Sequence, residues 1–338
     1  MAGIRDVARE ANVSIATVSR VINGSDKVSE ETRKKVLRAM RKLNFRPKPY
    51  FGNNEVFFKT IGVLVPDIRG YHYSDIVMAI ESCAFENGFD VILSIPKADI
   101  DNEKHILEKY FKRKIDGIIV AELLGGENYI EKFLKSGIPL VVLDFSVEEI
   151  NFDVVNVDNM MGAYNAIKYL YENGHRKILF IPGPEWSPAA NEREKGVKRF
   201  LESVDDLEIY YTNIRGYNSQ DGKDAIFEYL TKNSLNFTAI FAVNDWTAIG
   251  AIDALRIKGI KVPDDVSIIG FDDAPFLDYI EPKLTTVRQP RWELGYTAAQ
   301  ILIERITSKR SRLPRNVVIP PELVIRESIK KLNEVVKK

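Results

Sequence analysis

Two hydrophobic rhythms divide the chain. Through the first 43 residues apolar positions recur every three or four: Ile4, Val7, Ala8 and Ala11 form one helical stripe, Val18, Val21 and Ile22 a second, and Val36, Leu37, Met40 and Leu43 a third. Asn12-Val13-Ser14 breaks the first two apart as a tight turn with Ser14 as N-cap, and Ser29-Glu-Glu-Thr32 opens the third with capping-box spacing. This arrangement predicts a helix-turn-helix. Its second helix presents Ile15, Ala16, Thr17, Ser19 and Arg20 toward its outward, N-terminal side, the part that enters a major groove.

From Ile61 onward short apolar runs alternate with amphipathic stretches. Ile61–Val65, Asp90–Ser94, Gly117–Val120 and Pro139–Leu143 read as buried strands, with helices near 74–87, 102–113 and 127–136 between them. The alternation restarts with a helix over 159–173 and runs through Lys177–Ile181, Ala239–Ala242 and Val266–Gly270. Two βα runs predict two similar lobes, each a parallel sheet covered on both faces, with ligands expected where the carboxyl ends of the strands meet.

Composition narrows the classes. The chain has 338 residues, 45% apolar and 28% charged, which excludes a disordered or collagen-like protein. No apolar run approaches a membrane span. The single cysteine, Cys83, and an N-terminus without an apolar signal region lead us to expect an intracellular, cytoplasmic protein. Charge is unevenly placed: residues 1–48 hold 12 Lys/Arg against 5 Asp/Glu, or +7, so with 48 of each overall the remainder carries −7. A basic head on an acidic body suits a nucleic-acid reader joined to a different module.

The stretches Ile4-Arg-Asp-Val-Ala8, Ala11–Gly24 and Val28–Arg33, ending at Phe45-Arg-Pro47, resemble the headpiece of the lactose-repressor (LacI/GalR) family of bacterial transcription regulators. The resemblance extends through Ile61–Asp67, Asn173–Ile178, Ala242–Trp246, Val262–Ser267, Gly270–Asp273 and Leu284–Pro290. It implies an all-α helix-turn-helix headpiece over 1–48, a linker over 49–60, and a two-lobed α/β effector and dimerisation domain over 61–330, like the type I periplasmic sugar-binding proteins in fold. The implied N-lobe takes about 61–157 and 290–316, the C-lobe about 160–287 and 318–328. By the same resemblance Ile15 and Ala16 are the variable base-reading pair and Arg20 the guanine reader, while Ser14, Thr17, Ser19, Asn23, Ser29 and Thr32 anchor phosphates. The chemistry agrees: arginine bridges guanine O6 and N7, whereas hydroxyls hold backbone without reading sequence. Ile15 and Ala16 have no hydrogen-bonding side chain and can read only apolar features such as the thymine methyl.

The linker departs from the family. The usual Pro-Asn-x-x-Ala-Arg-x-Leu hinge helix is replaced by Pro47-Lys-Pro-Tyr-Phe-Gly-Asn-Asn-Glu-Val-Phe-Phe-Lys-Thr60, with Asn54 at the leucine position. Pro49, Gly52 and the asparagine pair disfavour helix there. Val56, Phe57 or Phe58 either supplies a shifted apolar wedge or packs under the body.

Matching positions define an effector pocket. Asp144 and Asp272 resemble carboxylates that accept ligand hydroxyls, Arg193 the ligand-clamping arginine, Asn244 a polar pocket residue and Tyr217 a covering aromatic. His72 and Tyr73 replace an aromatic pair, Trp186 and Trp246 are further aromatic walls, and Glu122 stands where relatives carry Asn or another polar residue, a chain-specific contact for a hydroxyl or amine. Aromatic faces and forked charged groups suit a carbohydrate. For Asp272 a turn-capping role, and for Trp246 a place in the lobe core, remain open at this point. No cofactor is expected, and His72, His105 and His175 are too scattered for a zinc site. The expected partners are a near-palindromic double-stranded operator, a small effector and a second copy of the chain; the apolar stripe Ile329, Leu332 and Val336 is too short for a tetramerising coiled coil. A sugar-acting enzyme would need a phosphate loop or an acid/base carboxylate pair, and neither is evident. A nucleoside, purine or phosphoprotein effector remains the alternative to a sugar.

Overall fold

The structure, a computed structural model, describes residues 4–22, 28–43, 59–97, 99–122, 136–145, 152–308 and 313–332. The chain forms two compact units, Met1–Phe58 and Lys59–Lys338.

In the first unit α1 (Ile4–Glu10), α2 (Ile15–Ile22) and α3 (Glu30–Lys42) enclose a small core of Val7, Ala8, Ala11, Val18, Val21, Val36 and Ala39. The turn between α1 and α2 is made possible by Asn12, at φ 53°, a left-handed conformation that asparagine tolerates. Ser14 caps α2 by accepting from the Thr17 amide at 3.0 Å, and Ser29 caps α3 through the Thr32 amide at 3.3 Å.

The second unit holds two six-stranded sheets. The first contains β1 (Thr60–Leu64), β2 (Asp90–Ser94), β3 (Gly117–Ala121), β4 (Leu140–Leu143), β5 (Asp153–Val157) and β11 (Asn316–Ile319), in the order β11-β5-β4-β3-β1-β2, all parallel. The second contains β6 (Lys177–Ile181), β7 (Glu208–Tyr211), β8 (Ala239–Ala242), β9 (Ser267–Asp272), β10 (Thr285–Arg288) and β12 (Glu322–Val324), in the order β12-β10-β9-β8-β6-β7, with only β12 antiparallel. Helices α4 (Tyr71–Glu86), α5 (Ile100–Arg113) and α10 (Arg291–Thr307) cover the first sheet; α6 (Asn159–Glu172), α7 (Pro188–Leu201), α8 (Ser219–Lys232) and α9 (Asp245–Ile257) cover the second. Continuous apolar strands such as Ile-Ile-Val in β3 are buried on both faces, as parallel sheets require.

The chain passes between the lobes three times, after β5, after β10 and after β11. The third passage corrects the sequence expectation. All of Asn316–Ile319 pairs with β5 in the first sheet, so the N-lobe runs to 319 rather than 316 and the C-lobe resumes at Glu322 rather than 318. The physical reason is Pro320-Pro321, two residues without an amide donor, which end the ladder where it stands. Thr60, assigned to the linker from sequence, opens β1 instead, because its amide is held by the Asp116 carboxylate at 2.7 Å. The expected helical stripe at Ile329 and Leu332 is absent: residues 326–332 run without helix along the C-lobe, tied by Ser328, Lys330 and Leu332 to Ile268, Ser267 and Asn173. Val336, Asn23, most of the linker with Asn54, Val56, Phe57 and Phe58, and the 127–136 helix up to Lys135 lie outside the described residues.

Helices within a lobe meet at glycines. A Cβ on Gly196 of α7 would stand 2.1 Å from the Met160 carbonyl oxygen of α6, and one on Gly295 of α10 would stand 2.3 Å from the Ile76 carbonyl of α4. Both neighbours are backbone and cannot swing aside. Gly196→Ala is expected to push α7 off α6 and destabilise the fold by about 1–3 kcal/mol; a urea midpoint equal to that of the parent protein would contradict this close packing.

Candidate functional site

On the headpiece, α2 offers one solvent-facing surface. Ser14, Ile15, Ala16 and Arg20 are exposed, Thr17 and Ser19 half-buried, and Ile15 is 47% exposed although it is a large apolar residue. The hydroxyls of Ser14 and Thr17 lie 2.8 Å apart, and those of Ser29 and Thr32 2.9 Å apart, so the starts of α2 and α3 each carry a hydroxyl pair. Such starts favour anions.

In the body, one cavity of about 360 Å³ lies where the strands' carboxyl ends face one another. His72, Tyr73, Glu122, Asp144, Trp186, Arg193, Tyr217, Asn244, Trp246 and Asp272 all line it, together with Asp67, Gly70, Tyr71, Ala189 and Gln289. Glu122 and Asp144 stand one residue past β3 and β4, Asp272 ends β9, and Asn244 precedes α9. The backbone is strained there: Glu122 has φ 50°, Asp144 φ 52°, Asp272 φ 121° and Asp273 φ 57°. Non-glycine residues held in such conformations cost about 1–3 kcal/mol each and concentrate at functional sites.

Arg193 and Asp272 are buried opposite each other, Nη2 to Oδ1 at 3.6 Å. The guanidinium is oriented by Nε donating to Asn159 Oδ1 at 2.9 Å, by Nη1 donating to the Val243 carbonyl at 2.7 Å, and by the Phe271 ring 3.7 Å beneath it. The Asp272 carboxylate accepts from the Tyr71 hydroxyl at 2.9 Å and from Gln289 Nε2. Burial first, then the Asp272 charge, drive the Tyr71 phenol far above its usual range, so it remains a donor. Tyr71 belongs to the N-lobe and Asp272 to the C-lobe, so this bond joins them. Arg291, at the start of α10, makes a second bridge: it pairs with Asp75 of α4 at 2.8 Å and donates to the Asp272 carbonyl at 2.5 Å.

Sequence reasoning did not single out Tyr71, Gln289, Asn159 or Arg291. None carries a motif of its own. Asn159 orients Arg193, while Asp158 caps α6 by accepting from the Met161 amide at 2.9 Å. Asn244 lines the cavity and also caps α9, its side-chain oxygen accepting from the Thr247 amide while its side-chain nitrogen donates to the Tyr217 carbonyl at 2.9 Å. Trp246 is no core residue, being 41% exposed and resting on Phe276. Trp186 sets its edge toward Tyr217, whose hydroxyl shares a hydrogen bond of 2.7 Å with Ser187. His175 is structural, held between Thr238 and the Lys330 carbonyl, with burial pushing it down to about 4. Among the described residues no group of side chains could hold a metal ion, and no helix is long and apolar enough to cross a membrane.

Residues 3–48 match the bacterial regulatory proteins of the lacI family, and residues 167–329 match a periplasmic binding protein-like domain. Over 337 residues, 98% of this chain and all of the relative, the sequence is 34% identical to the HTH-type transcriptional repressor PurR of Haemophilus influenzae strain PittEE. The chain belongs to the lacI family. It is a DNA-binding transcriptional regulator of that family. Among solved structures, this lacI-family chain is similar to a LacI family transcriptional regulator from Enterococcus faecium with bound ribose, at 32% identity and TM-score 0.73 over 81% of this chain and all of that one. It is also similar to the lac repressor dimer bound to operator and the anti-inducer ONPF, at 26% identity and TM-score 0.75 over 97% and 99%.

Glu122 gives a pH-dependent prediction for this regulator. Burial first and the Asp144 charge second push its carboxyl up to about 6, against about 4.3 in an unfolded chain. The folded state therefore holds the proton more tightly, and stability falls as pH rises between those values. At about 1.4 kcal/mol per pH unit the cost above pH 6 is about 2 kcal/mol. Glu122→Gln should match the parent in stability near pH 4 and exceed it by about that amount at pH 7, measured by urea unfolding; equal stability at both pH values would rule out an ionised, desolvated Glu122.

Proposed function

We propose that a small carbohydrate held in this cavity controls operator binding, and that the protein acts as a homodimeric repressor reading a near-palindromic site. The observation that carries the effector reading is the Arg193–Asp272 pair set among aromatic walls. A guanidinium and a carboxylate, both desolvated and rigidly oriented, match the vicinal hydroxyls of a sugar as acceptors and donors, while Trp186, Trp246 and Tyr217 supply flat faces for its C–H surfaces. Asn244, Asp144, His72, Tyr73 and Glu122 complete the polar lining. A volume of about 360 Å³ is at the small end for ligand pockets, about 300–1,000 Å³, and suits a monosaccharide. The E. faecium relative binds ribose.

Asp272 couples the ligand to lobe arrangement. Sugar hydroxyls would compete with Tyr71 for its carboxylate, and whichever lobe geometry the ligand favours gains population by the difference in binding energy. The dimer reading is supported by α4, where Met78 and Phe85, seven residues apart on one face, are 62% and 76% exposed. The lac repressor relative is a dimer on its operator.

Thermal denaturation of the purified protein with ribose, other pentoses and hexoses, and in parallel with nucleosides and purine bases, tests the effector class. A sugar that binds only the folded state raises the melting temperature. Arg193→Lys and Asp272→Asn should each weaken that sugar at least about tenfold, about 1.4 kcal/mol, with the far-ultraviolet circular dichroism retained. Stabilisation by purine bases or nucleosides alone would replace the carbohydrate with the alternative effector.

For the DNA reader, Arg20 is the one charged side chain on the exposed face of α2, and Ser14, Ile15, Ala16, Thr17, Ser19, Asn23, Ser29 and Thr32 complete the proposed contact set. With an operator selected from random-sequence duplexes, Arg20→Ala is expected to cost about 1–3 kcal/mol and to relax preference at one base pair of each half-site. A mutant that retains the parent's base preference at every position would remove Arg20 from the reading face.

A further inference from the structure

The carboxylates around the cavity are unequally compensated. Asp67 is gripped by the Arg69 guanidinium at 2.6–3.1 Å, and Asp272 by Tyr71, Gln289 and Arg193. Among the described residues, no arginine or lysine grips Glu122 or Asp144 in this way. Glu122 accepts from the Tyr73 hydroxyl. Asp144, with a side chain only 5% exposed, makes no hydrogen bond among the described residues; its nearest basic neighbour is His72 Nε2 at 3.9 Å. Arg193, the one arginine in the lining, is engaged with Asn159, Val243 and Asp272, and no lysine is present there.

The two carboxylates are neighbours by construction. Parallel strands β3 and β4 pair Ala121 with Leu143, and Glu122 and Asp144 are the next residue on each, with the Glu122 amide donating to the Leu143 carbonyl at 3.3 Å. Strands so paired run about 4.8 Å apart. Carboxylates carried on adjacent strand ends in a desolvated wall repel each other, as the Asp144 charge raising the Glu122 carboxyl shows, and burying them without a full counter-charge is unfavourable. The rise of the Glu122 carboxyl to about 6 is the proton's response to the same imbalance. A sugar hydroxyl brings such a wall one donor and no charge. An ammonium brings three N–H donors and a full positive charge, and it is stabilised by both carboxylates at once.

We propose that the effector carries a protonated primary amine seated between Glu122 and Asp144, which makes it an amino sugar rather than a neutral one. This rests on the carbohydrate reading above and assigns the two walls different tasks. The C-lobe wall with Arg193 and Asp272 holds ring hydroxyls; the N-lobe wall with Glu122 and Asp144 selects the charged nitrogen and is the specificity determinant of the site.

The test uses the full-length protein at pH 7 with D-glucosamine, D-galactosamine and D-mannosamine, each beside its hydroxyl parent and its N-acetyl derivative, followed by thermal shift and titration calorimetry. At least one amine is expected to bind about tenfold or more tightly than both its parent and its uncharged N-acetyl form, equivalent to about 1.4 kcal/mol. Glu122→Gln and Asp144→Asn are each expected to bring that amine and its parent to nearly equal affinity. If the hydroxyl parents, or ribose, bind as well as or better than every amine, the amine proposal is overturned and the carbohydrate reading stands. If neither neutral nor amino sugars bind, both fail. An amine preference that survives in both variants would place the ammonium elsewhere and overturn the role given to this wall.

Discussion

Much of the body is organised around one buried ion pair. Arg193 and Asp272 belong to different elements of the C-lobe, and each is held by groups far away in sequence: Asn159 at the first passage between lobes, Val243 after β8, Gln289 at the second passage and Tyr71 from the N-lobe. A buried pair of this kind adds little net stability, because desolvation offsets most of the attraction. What it supplies is geometry. With the guanidinium held by two acceptors and the Phe271 ring, its orientation is fixed before any ligand arrives, so little ordering entropy remains to be lost on binding.

The same carboxylate also bears on the lobe arrangement. The Tyr71 hydroxyl and the Arg291 guanidinium bring N-lobe elements to Asp272 from two sides, one to its side chain and one to its carbonyl. Asp245, buried beside it, is bound by Thr286 and the Ala274 amide, and burial together with the Asp272 charge raises its carboxyl well above the ordinary range. Negative charge is thus dense behind the C-lobe wall but met there by donors. On the N-lobe wall, Glu122 is met by the Tyr73 hydroxyl and Asp144 only by the His72 ring at 3.9 Å among the described residues. The asymmetry between the walls gives the cavity a direction, and a ligand with one charged and one hydroxylated side would take only one orientation in it.

The headpiece follows a different economy of chemistry. Its core is only a handful of small aliphatic side chains, so the caps at Ser14 and Ser29 matter more than they would in a large domain. The surface proposed to read DNA is correspondingly sparse: the hydroxyls at the helix starts, an exposed isoleucine and alanine, and Arg20. On the proposed reading, affinity on such a face would come from phosphate neutralisation by the +7 head, with arginine and DNA shape left to discriminate.

By itself the sequence determined whatever depends on local spacing. The three headpiece stripes, the caps at Ser14 and Ser29 and the alternation of β1 to β3 with helices rest on short-range periodicity, while the ten positions that line the cavity came from the family resemblance carried by stretches such as Gly270-Phe-Asp-Asp273. The tertiary structure decided what depends on which distant groups meet. Pro320-Pro321 could be seen to end a strand, but only β11's ladder with β5 showed which lobe that strand serves. Ile329 and Leu332 carry a helical spacing, yet the Lys330 and Leu332 amides donate to Ser267 Oγ and the Asn173 carbonyl, and the segment runs without helix. Tyr71, Asn159 and Gln289 have no local signature, because their roles arise from hydrogen bonds to partners 201, 34 and 17 residues away. The unequal compensation of the acidic side chains was likewise hidden: a carboxylate's partners are set by the folding of the two sheets against each other, and no one-dimensional pattern records them.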